Sequence, residues 1–210
     1  MKTRIKICGL RDPEMARRSA DLGADAIGLV FYPPSPRYVE TAMAEQIVAA
    51  LPAFVSSVGL FVNAEAAFVR GVLDRVPLDL LQFHGDESPE YCQKFGRPYL
   101  KALRVKPDLN LLEYAQRFVG PLCKGILVDA FVDGVPGGTG EAFDWDLIPE
   151  KLPLPLILSG GLHSENVFEA ICKVKPWAVD VSSGVESSKG VKDVAKIAAF
   201  INQAERNAHD

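Results

Sequence analysis

Two turns of small residues near the end of the chain have the composition of a phosphate-binding site. The segment ILSGGLHSEN turns at Gly160 and Gly161, and AVDVSSGVE, further along, turns at Ser183 and Gly184. Glycine exposes backbone N–H groups with no Cβ to keep an anion away, and a following helix adds the positive end of its dipole. In an eight-stranded βα barrel, the loops after strands seven and eight commonly bind phosphate. The turns therefore predict a phosphate site, provided that six βα units precede them.

The chain supplies those units, because apolar β-rich runs alternate with helix-period segments to its end. Eight strands are predicted, at Arg4 to Cys8, Asp25 to Phe31, Val55 to Val62, Asp79 to Phe83, Tyr99 to Arg104, Gly125 to Asp129, Leu154 to Ser159 and Ala178 to Ser182. They are apolar on both faces, which is typical of a parallel sheet covered by helices. With short connections in 210 residues, they predict one α/β domain over residues 1–210. Its predicted fold is a (β/α)8 TIM barrel with a phosphate site at the loops after strands 7 and 8.

Helix boundary signals fall in the intervals between these strands. One helix is predicted over Asp12 to Leu22 with Gly23 closing it, and another over Ala64 to Val76 with Asn63 as its cap. The eighth helix of the barrel is predicted from Lys192 to Asn207. Its apolar residues form one stripe, and its charged residues lie on the other face.

Alternation along two strands points a thiol and a carboxyl into the same cavity. In RIKIC the isoleucines face the helices, so Arg4, Lys6 and Cys8 face the interior, with Cys8 at the carboxyl end. By the same alternation in GILVDA, Asp129 faces the barrel interior at the carboxyl end of the sixth strand. Each residue has a plainer interpretation: Cys8 as a small buried hydrophobe and Asp129 as a turn residue.

Composition and charge exclude several classes of function. The net charge of -4, with 23 basic and 27 acidic residues interspersed, leaves no basic stripe for nucleic acid. No apolar run approaches the ~18 residues of a membrane span. Four scattered cysteines without a CxxC pair suit reduced thiols better than disulfides or zinc. We expect a cytoplasmic protein with no nucleic-acid or membrane partner.

Six motifs, read in order, resemble the phosphoribosylanthranilate isomerase family. They are KICGL, SPRYV, QFHGDES, LVDA with PGGTGEAFDW, LSGGL and DVSSGVE, and they cover the whole chain. The resemblance implies an enzyme of tryptophan biosynthesis that needs no cofactor. Its reaction is the Amadori rearrangement of N-(5-phospho-β-D-ribosyl)anthranilate, a small phosphorylated substrate, to 1-(2-carboxyphenylamino)-1-deoxy-D-ribulose 5-phosphate.

The resemblance also implies roles for individual residues. Asp129 is the general acid and Cys8 the base, and Arg37 binds the anthranilate carboxylate, to which a planar guanidinium is suited. For Arg37 a solvated loop arginine is the alternative. His84 and Gln82, which share a face, are expected near the substrate, with a structural histidine as the alternative to a ligand contact.

The remaining predicted contacts concern the phosphate and the barrel seam. Gly160, Gly161, Ser183 and Gly184 are the predicted phosphate ligands, together with Gly140 from the long loop after strand six. Tight-turn glycines are the alternative. Asp180 is predicted to contact the substrate and to form an ion pair with Lys6. The ion pair either serves the reaction or only stabilises the closed barrel.

Other functions remain open at this point. The two phosphate turns alone permit another sugar-phosphate isomerase or lyase, or a barrel that binds a phosphorylated metabolite without turnover. His84 and His163 are not spaced as metal ligands, so no metal is expected. Both a monomer and a homodimer are compatible with the sequence.

Overall fold

Eight parallel strands close into a barrel in chain order in the computed structural model, which describes residues 2–105, 110–130 and 145–206. The strands are β1 (Arg4–Cys8), β2 (Ala26–Val30), β3 (Ser56–Phe61), β4 (Leu80–Phe83), β5 (Tyr99–Val105), β6 (Cys123–Ala130), β7 (Leu156–Leu158) and β8 (Ala178–Val181). The barrel closes where β1 pairs with β8. The predicted (β/α)8 fold is confirmed.

Seven helices of the described residues follow the strands. They are α1 (Pro13–Asp21), α2 (Thr41–Ala50), α3 (Ala66–Leu73), α4 (Pro89–Gln93), α5 (Leu111–Gln116), α6 (Val167–Val174) and α7 (Val194–Ala204). A 3₁₀ turn, Trp145–Leu147, precedes β7, and another, Ser183–Val185, follows β8. An antiparallel hairpin of β9 (Glu186–Ser188) and β10 (Val191–Lys192) then leads into α7. The sequence did not predict this hairpin.

Gly23 closes α1 as predicted, although Asp12 caps this helix instead of lying within it, and the predicted cap of α3 is wrong. The Asp12 carboxylate accepts the Met15 N–H, and Gly23 follows the helix with φ of 112°. Asn63 is not the cap of α3, which begins at Ala66 after Glu65. The Asn63 side-chain oxygen instead accepts the Asp86 N–H. That bond ties the loops after β3 and β4 together, and it leaves the amide no part in capping.

The last helix also starts later than predicted. It begins at Val194, because the Asp193 carboxylate accepts the N–H groups of Ala195 and Lys196 and so caps it. Lys192, predicted within the helix, lies in β10 with its ammonium group buried against Glu186. Asn207 lies outside the described residues.

Apolar side chains fill two separate regions of the barrel. Ile5, Ile7 and Phe83 belong to the large cluster between strands and helices. Smaller clusters fill the interior, one of which contains Cys8. Arg4 is an exception to the predicted inward set: its exposed side chain pairs with Asp25 at 3.0 Å. As the first residue of β1, it reaches water at the amino end of the barrel.

Candidate active site

A buried ion pair lies beside the thiol at the carboxyl end of β1. Lys6 and Asp180 are register partners on β1 and β8, and Lys6 Nζ lies 2.8 Å from Asp180 Oδ1. Ser159, which follows β7, donates its hydroxyl to the other carboxylate oxygen at 3.3 Å. The pair proposed from sequence alternation is therefore present at the seam where the barrel closes.

Opposing influences act on the Cys8 thiol. Burial has the largest effect and raises the pKa of Cys8, while the Lys6 charge opposes that rise. Asp180 raises the thiol pKa further, and Lys192 lowers it. Burial would lower the pKa of Lys6, but Asp180 and Cys8 together raise it. Lys6 thus remains an ammonium group beside the thiol, where it favours the thiolate.

Gly28 on β2 packs against the Cys8 thiol and the Lys6 ammonium group, where a larger residue would not fit. A Cβ built on Gly28 would lie 2.7 Å from Cys8 Sγ and 3.1 Å from Lys6 Nζ. The neighbouring strand therefore leaves room for the thiol and the ammonium group to approach each other.

Asp129 is buried near the end of β6 and contacts His84. His84 Nε2 lies 3.3 Å from Asp129 Oδ2, and His84 Nδ1 lies 3.0 Å from Gln82 Nε2. With the Gln82 amide donating, Nδ1 is an acceptor and Nε2–H donates to the carboxylate. If the amide is turned over, Nδ1–H donates to Gln82 Oε1 and Nε2 accepts from a protonated Asp129. The same atoms can therefore serve both protonation states of the acid.

Arg37 is not a solvated loop arginine, since its side chain is only 12% exposed. Its Nε and Nη2 donate to the two carboxylate oxygens of Glu186 at 2.7 and 2.9 Å. Sequence reasoning did not single out Glu186. It ends the DVSSGVE motif, but an acidic residue just after a phosphate turn gives no local indication of a distant partner.

The two predicted phosphate turns lie against each other. Gly160 and Gly161 have φ of 84° and 65°, a conformation that favours glycine. A Cβ on Gly184 would lie 1.9 Å from the Leu162 carbonyl oxygen, so this glycine is needed for the close approach of the loops after β7 and β8. Ser183 begins the 3₁₀ turn beside it. Gly140 lies outside the described residues.

Other parts of the described structure offer less chemistry. Within residues 2–105, 110–130 and 145–206, no group of three or more His, Cys, Asp or Glu side chains could hold a metal ion. Nor does that part of the chain contain a helix long and apolar enough to cross a membrane.

A surface cavity of about 1130 Å³ is lined by Lys2, Lys151 and Trp177 among others. These residues flank the amino ends of β1, β7 and β8, away from the Cys8 and Asp129 mouth.

Fold and site together define the class: a (β/α)8-barrel enzyme whose titratable side chains converge at the carboxyl ends of its strands. A family model described as "N-(5'phosphoribosyl)anthranilate (PRA) isomerase" matches residues 5–203. An N-(5'-phosphoribosyl)anthranilate isomerase from Azotobacter vinelandii is 58% identical over 209 residues, covering 98% of each chain. The chain belongs to the phosphoribosylanthranilate isomerase family. It is an isomerase of tryptophan biosynthesis.

Solved structures agree with this assignment. Phosphoribosyl anthranilate isomerase from Thermotoga maritima superposes with a TM-score of 0.86 at 41% identity, over 96% of this chain and 98% of that one. A phosphoribosyl anthranilate isomerase in complex with reduced 1-(o-carboxyphenylamino)-1-deoxyribulose 5-phosphate gives a TM-score of 0.79 at 39% identity. It covers the same shares of the two chains.

Proposed function

We propose that the mouth of this barrel catalyses the Amadori rearrangement of N-(5-phospho-β-D-ribosyl)anthranilate, with Asp129 as general acid and Cys8 as general base. The observation that carries the proposal is the pair of buried proton-transfer groups at the carboxyl ends of β1 and β6. Because these strands are not neighbours in the barrel, the two groups approach a bound sugar from different sides.

The reaction needs one proton donated and one removed. Asp129 donates a proton to the furanose ring oxygen, the bond from that oxygen to C1′ breaks, and a Schiff base forms with the anthranilate nitrogen. The Cys8 thiolate then takes the proton from C2′ to give an enolamine, which tautomerises to the amino ketone. The tautomerisation moves the proton of the 2′-hydroxyl to C1′, and the proton held by Cys8 returns to Asp129 through water, so both side chains end in their starting protonation states.

The neighbouring side chains support these two steps. Lys6, held by Asp180 at 2.8 Å, stabilises the thiolate. His84, oriented by Gln82, either donates a hydrogen bond to the Asp129 carboxylate or accepts one from the protonated acid. We assign the contact with the sugar to His84. Gln82 and Asp180, which the sequence also predicted as substrate contacts, are buried behind it and act by holding His84 and Lys6.

The two ends of the substrate need separate recognition. We place its phosphate at Gly160, Gly161, Ser183 and Gly184, where two loops meet with close backbone contact, and we retain Gly140 from the loop after β6. We place the anthranilate carboxylate at Arg37, since a guanidinium binds a planar carboxylate through two parallel hydrogen bonds.

We further infer that the enzyme acts in the cytoplasm as a monomer or homodimer, on a small phosphorylated metabolite and without a cofactor.

A test that separates catalysis from mere binding follows the anthranilate-type fluorescence of substrate generated in situ, with purified protein in a buffer free of metal and cofactor. If the protein is the proposed isomerase, each molecule must convert many molecules of substrate. Saturable binding with no product would support a binding protein and overturn the proposal.

A further inference from the structure

The hairpin formed by β9 and β10 places one buried carboxylate between two cations. Glu186 accepts from Arg37 Nε and Nη2, from Lys192 Nζ at 2.8 Å and from the Gly190 N–H at 3.0 Å. Its side chain is 4% exposed, and that of Lys192 is 3% exposed. Four donors therefore occupy a single carboxylate at the rim of the barrel.

This cluster has one positive charge more than it can balance. Arg37 and Lys192 share the single negative charge of Glu186, and burial lowers the pKa of Lys192 despite that contact. A buried net charge is costly unless an opposite charge approaches it. The cluster is therefore suited to an anion that arrives with the ligand.

The geometry shows which edge of Arg37 is available. Glu186 occupies Nε and Nη2, and no acceptor among the described residues contacts Nη1. The Arg37 side chain packs against Gly9, the residue that follows Cys8, so the guanidinium lies at the mouth that contains the base. The Nη1 edge is thus left available to a ligand bound at this mouth.

Two glycines, one after β1 and one in the hairpin, allow the loop that carries Arg37 to pack closely on both. A Cβ on Gly9, whose φ is 82°, would lie 2.7 Å from Arg37 Cδ. A Cβ on Gly190, whose φ is 81°, would lie 2.7 Å from the Pro36 carbonyl oxygen. The direction of the guanidinium is therefore fixed before any ligand binds, which lowers the entropy cost of binding.

The same carboxylate also reaches the turn after β8. Lys192 Nζ, held by Glu186, donates to the Ser182 carbonyl oxygen at 2.9 Å. The Ser182 hydroxyl in turn donates to the Cys8 carbonyl oxygen at 3.1 Å. The loop after β2 and the loop after β8 are thereby joined through Glu186.

We propose that Glu186 is a positioning residue for substrate recognition: it holds Arg37 so that Nη1 faces the catalytic cavity and binds the carboxylate of the aromatic ring. The inference rests on the proposed function. It assigns to Glu186 a specific effect on carboxylate recognition, which a residue that only stabilises the fold would not have.

The test compares two probes by titration calorimetry. The first is reduced 1-(o-carboxyphenylamino)-1-deoxyribulose 5-phosphate, and the second is the same compound without the carboxyl group. We expect Glu186→Gln to weaken the first probe about 10-fold and the second less than about 2-fold, because only the first uses the oriented guanidinium. In an Arg37→Ala background, Glu186→Gln should add little, since it acts through that arginine.

Glu45→Gln is the matched control. Glu45 accepts from Arg75 with the same two-bond geometry, at 3.0 and 2.9 Å, on the outer surface, and its loss should leave both affinities unchanged. Glu186→Asp keeps the buried negative charge but shortens the side chain, so it can no longer accept from Nε and Nη2 in the same position. It should reproduce the carboxylate-specific loss if Glu186→Gln fails to fold.

The possible failures are distinguishable. Equal weakening of both probes by Glu186→Gln, or an effect that adds fully to that of Arg37→Ala, would overturn the inference and leave the proposed function intact. A folded wild type that binds neither probe would overturn the proposed function as well.

Discussion

The ionisation of the Cys8 thiol depends on its burial and on a few charged side chains around it. Cys8 is buried, which disfavours its thiolate, and Lys6 supplies the nearest compensating charge from the same strand. Asp180 fixes Lys6 but also opposes the thiolate through its own charge. Burial and Asp180 therefore disfavour the thiolate, and Lys6 favours it.

Removal of the Lys6 charge should move the pH dependence of catalysis. A thiol whose pKa is raised gains thiolate as the pH increases, so kcat/KM of the wild type should rise with pH. In Lys6→Met that rise should shift to higher pH and activity at pH 7 should fall at least about 10-fold, because one compensating charge is lost. A pH profile of kcat/KM measures this.

The variant Lys6→Met/Asp180→Asn is the control, because it removes the carboxylate that the single change leaves buried and unpaired. The double variant should recover folding stability. Its pH profile should lie between those of Lys6→Met and the wild type, because removal of the Asp180 charge lowers the thiol pKa again. A single variant with an unshifted profile would show that Lys6 has no effect on the base.

A methyl group at position 28 should disturb the base without unfolding the protein. Gly28→Ala places a Cβ 2.7 Å from Cys8 Sγ, and we expect kcat to fall about 100-fold, because small displacements of reacting groups cost that much. Gly71→Ala is the control, since a Cβ there meets no atom within 4 Å in helix α3. It should retain full activity and gain about 0.5–1 kcal/mol of stability. Equal activity of the two variants would refute the steric argument.

At the scale of elements, the hairpin of β9 and β10 has an ion-pair network with its own pH dependence. Burial alone would raise the pKa of Glu186, but hydrogen bonds from Arg37 and Lys192 lower it from 4.5 to about 2. A lowered carboxyl pKa contributes stability that is present above pH 4.5 and is lost as the pH falls towards 2. The shift corresponds to at most about 3 kcal/mol.

Urea unfolding between pH 2 and pH 7 measures this contribution. The stability difference between wild type and Glu186→Gln should be constant above pH 5 and shrink steadily below pH 4.5. Glu45→Gln, at an exposed pair of the same kind, should show a much smaller difference. A difference for Glu186→Gln that does not change with pH would contradict the assignment of the low pKa.

The strands were predictable and the hairpin was not, for physical reasons. Strand β1 has the predicted limits, Arg4 and Cys8, because alternation and apolar content are local signals. The partner of Arg37 lies 149 residues away, and the contact of His84 with Asp129 spans 45 residues. Such pairs depend on how the barrel closes. Asn63 shows the same limit, since its amide bonds to the next loop instead of capping a helix.

At the scale of the whole molecule, the two ends of the barrel have different tasks. At the amino end, Asp25 and Asp79 accept the N–H groups of Ile5 and Ser57 on the preceding strands. These bonds fix how neighbouring strands align. At the carboxyl end lie Cys8, Asp129 and the clusters that support them. This division between a stabilising end and a reacting end is general for (β/α)8 enzymes.

The central claim is that Cys8 and Asp129 act as a base and an acid in one cavity. The most direct measurement is the rate of fluorescence loss as phosphoribosylanthranilate is consumed by wild type, Cys8→Ala and Asp129→Asn, with Cys92→Ala as the control for a buried thiol outside the mouth. We expect rapid turnover by wild type and Cys92→Ala. In the other two variants we expect losses of at least about 100-fold with unchanged folding. Full activity in a folded Cys8→Ala or Asp129→Asn variant would contradict the account.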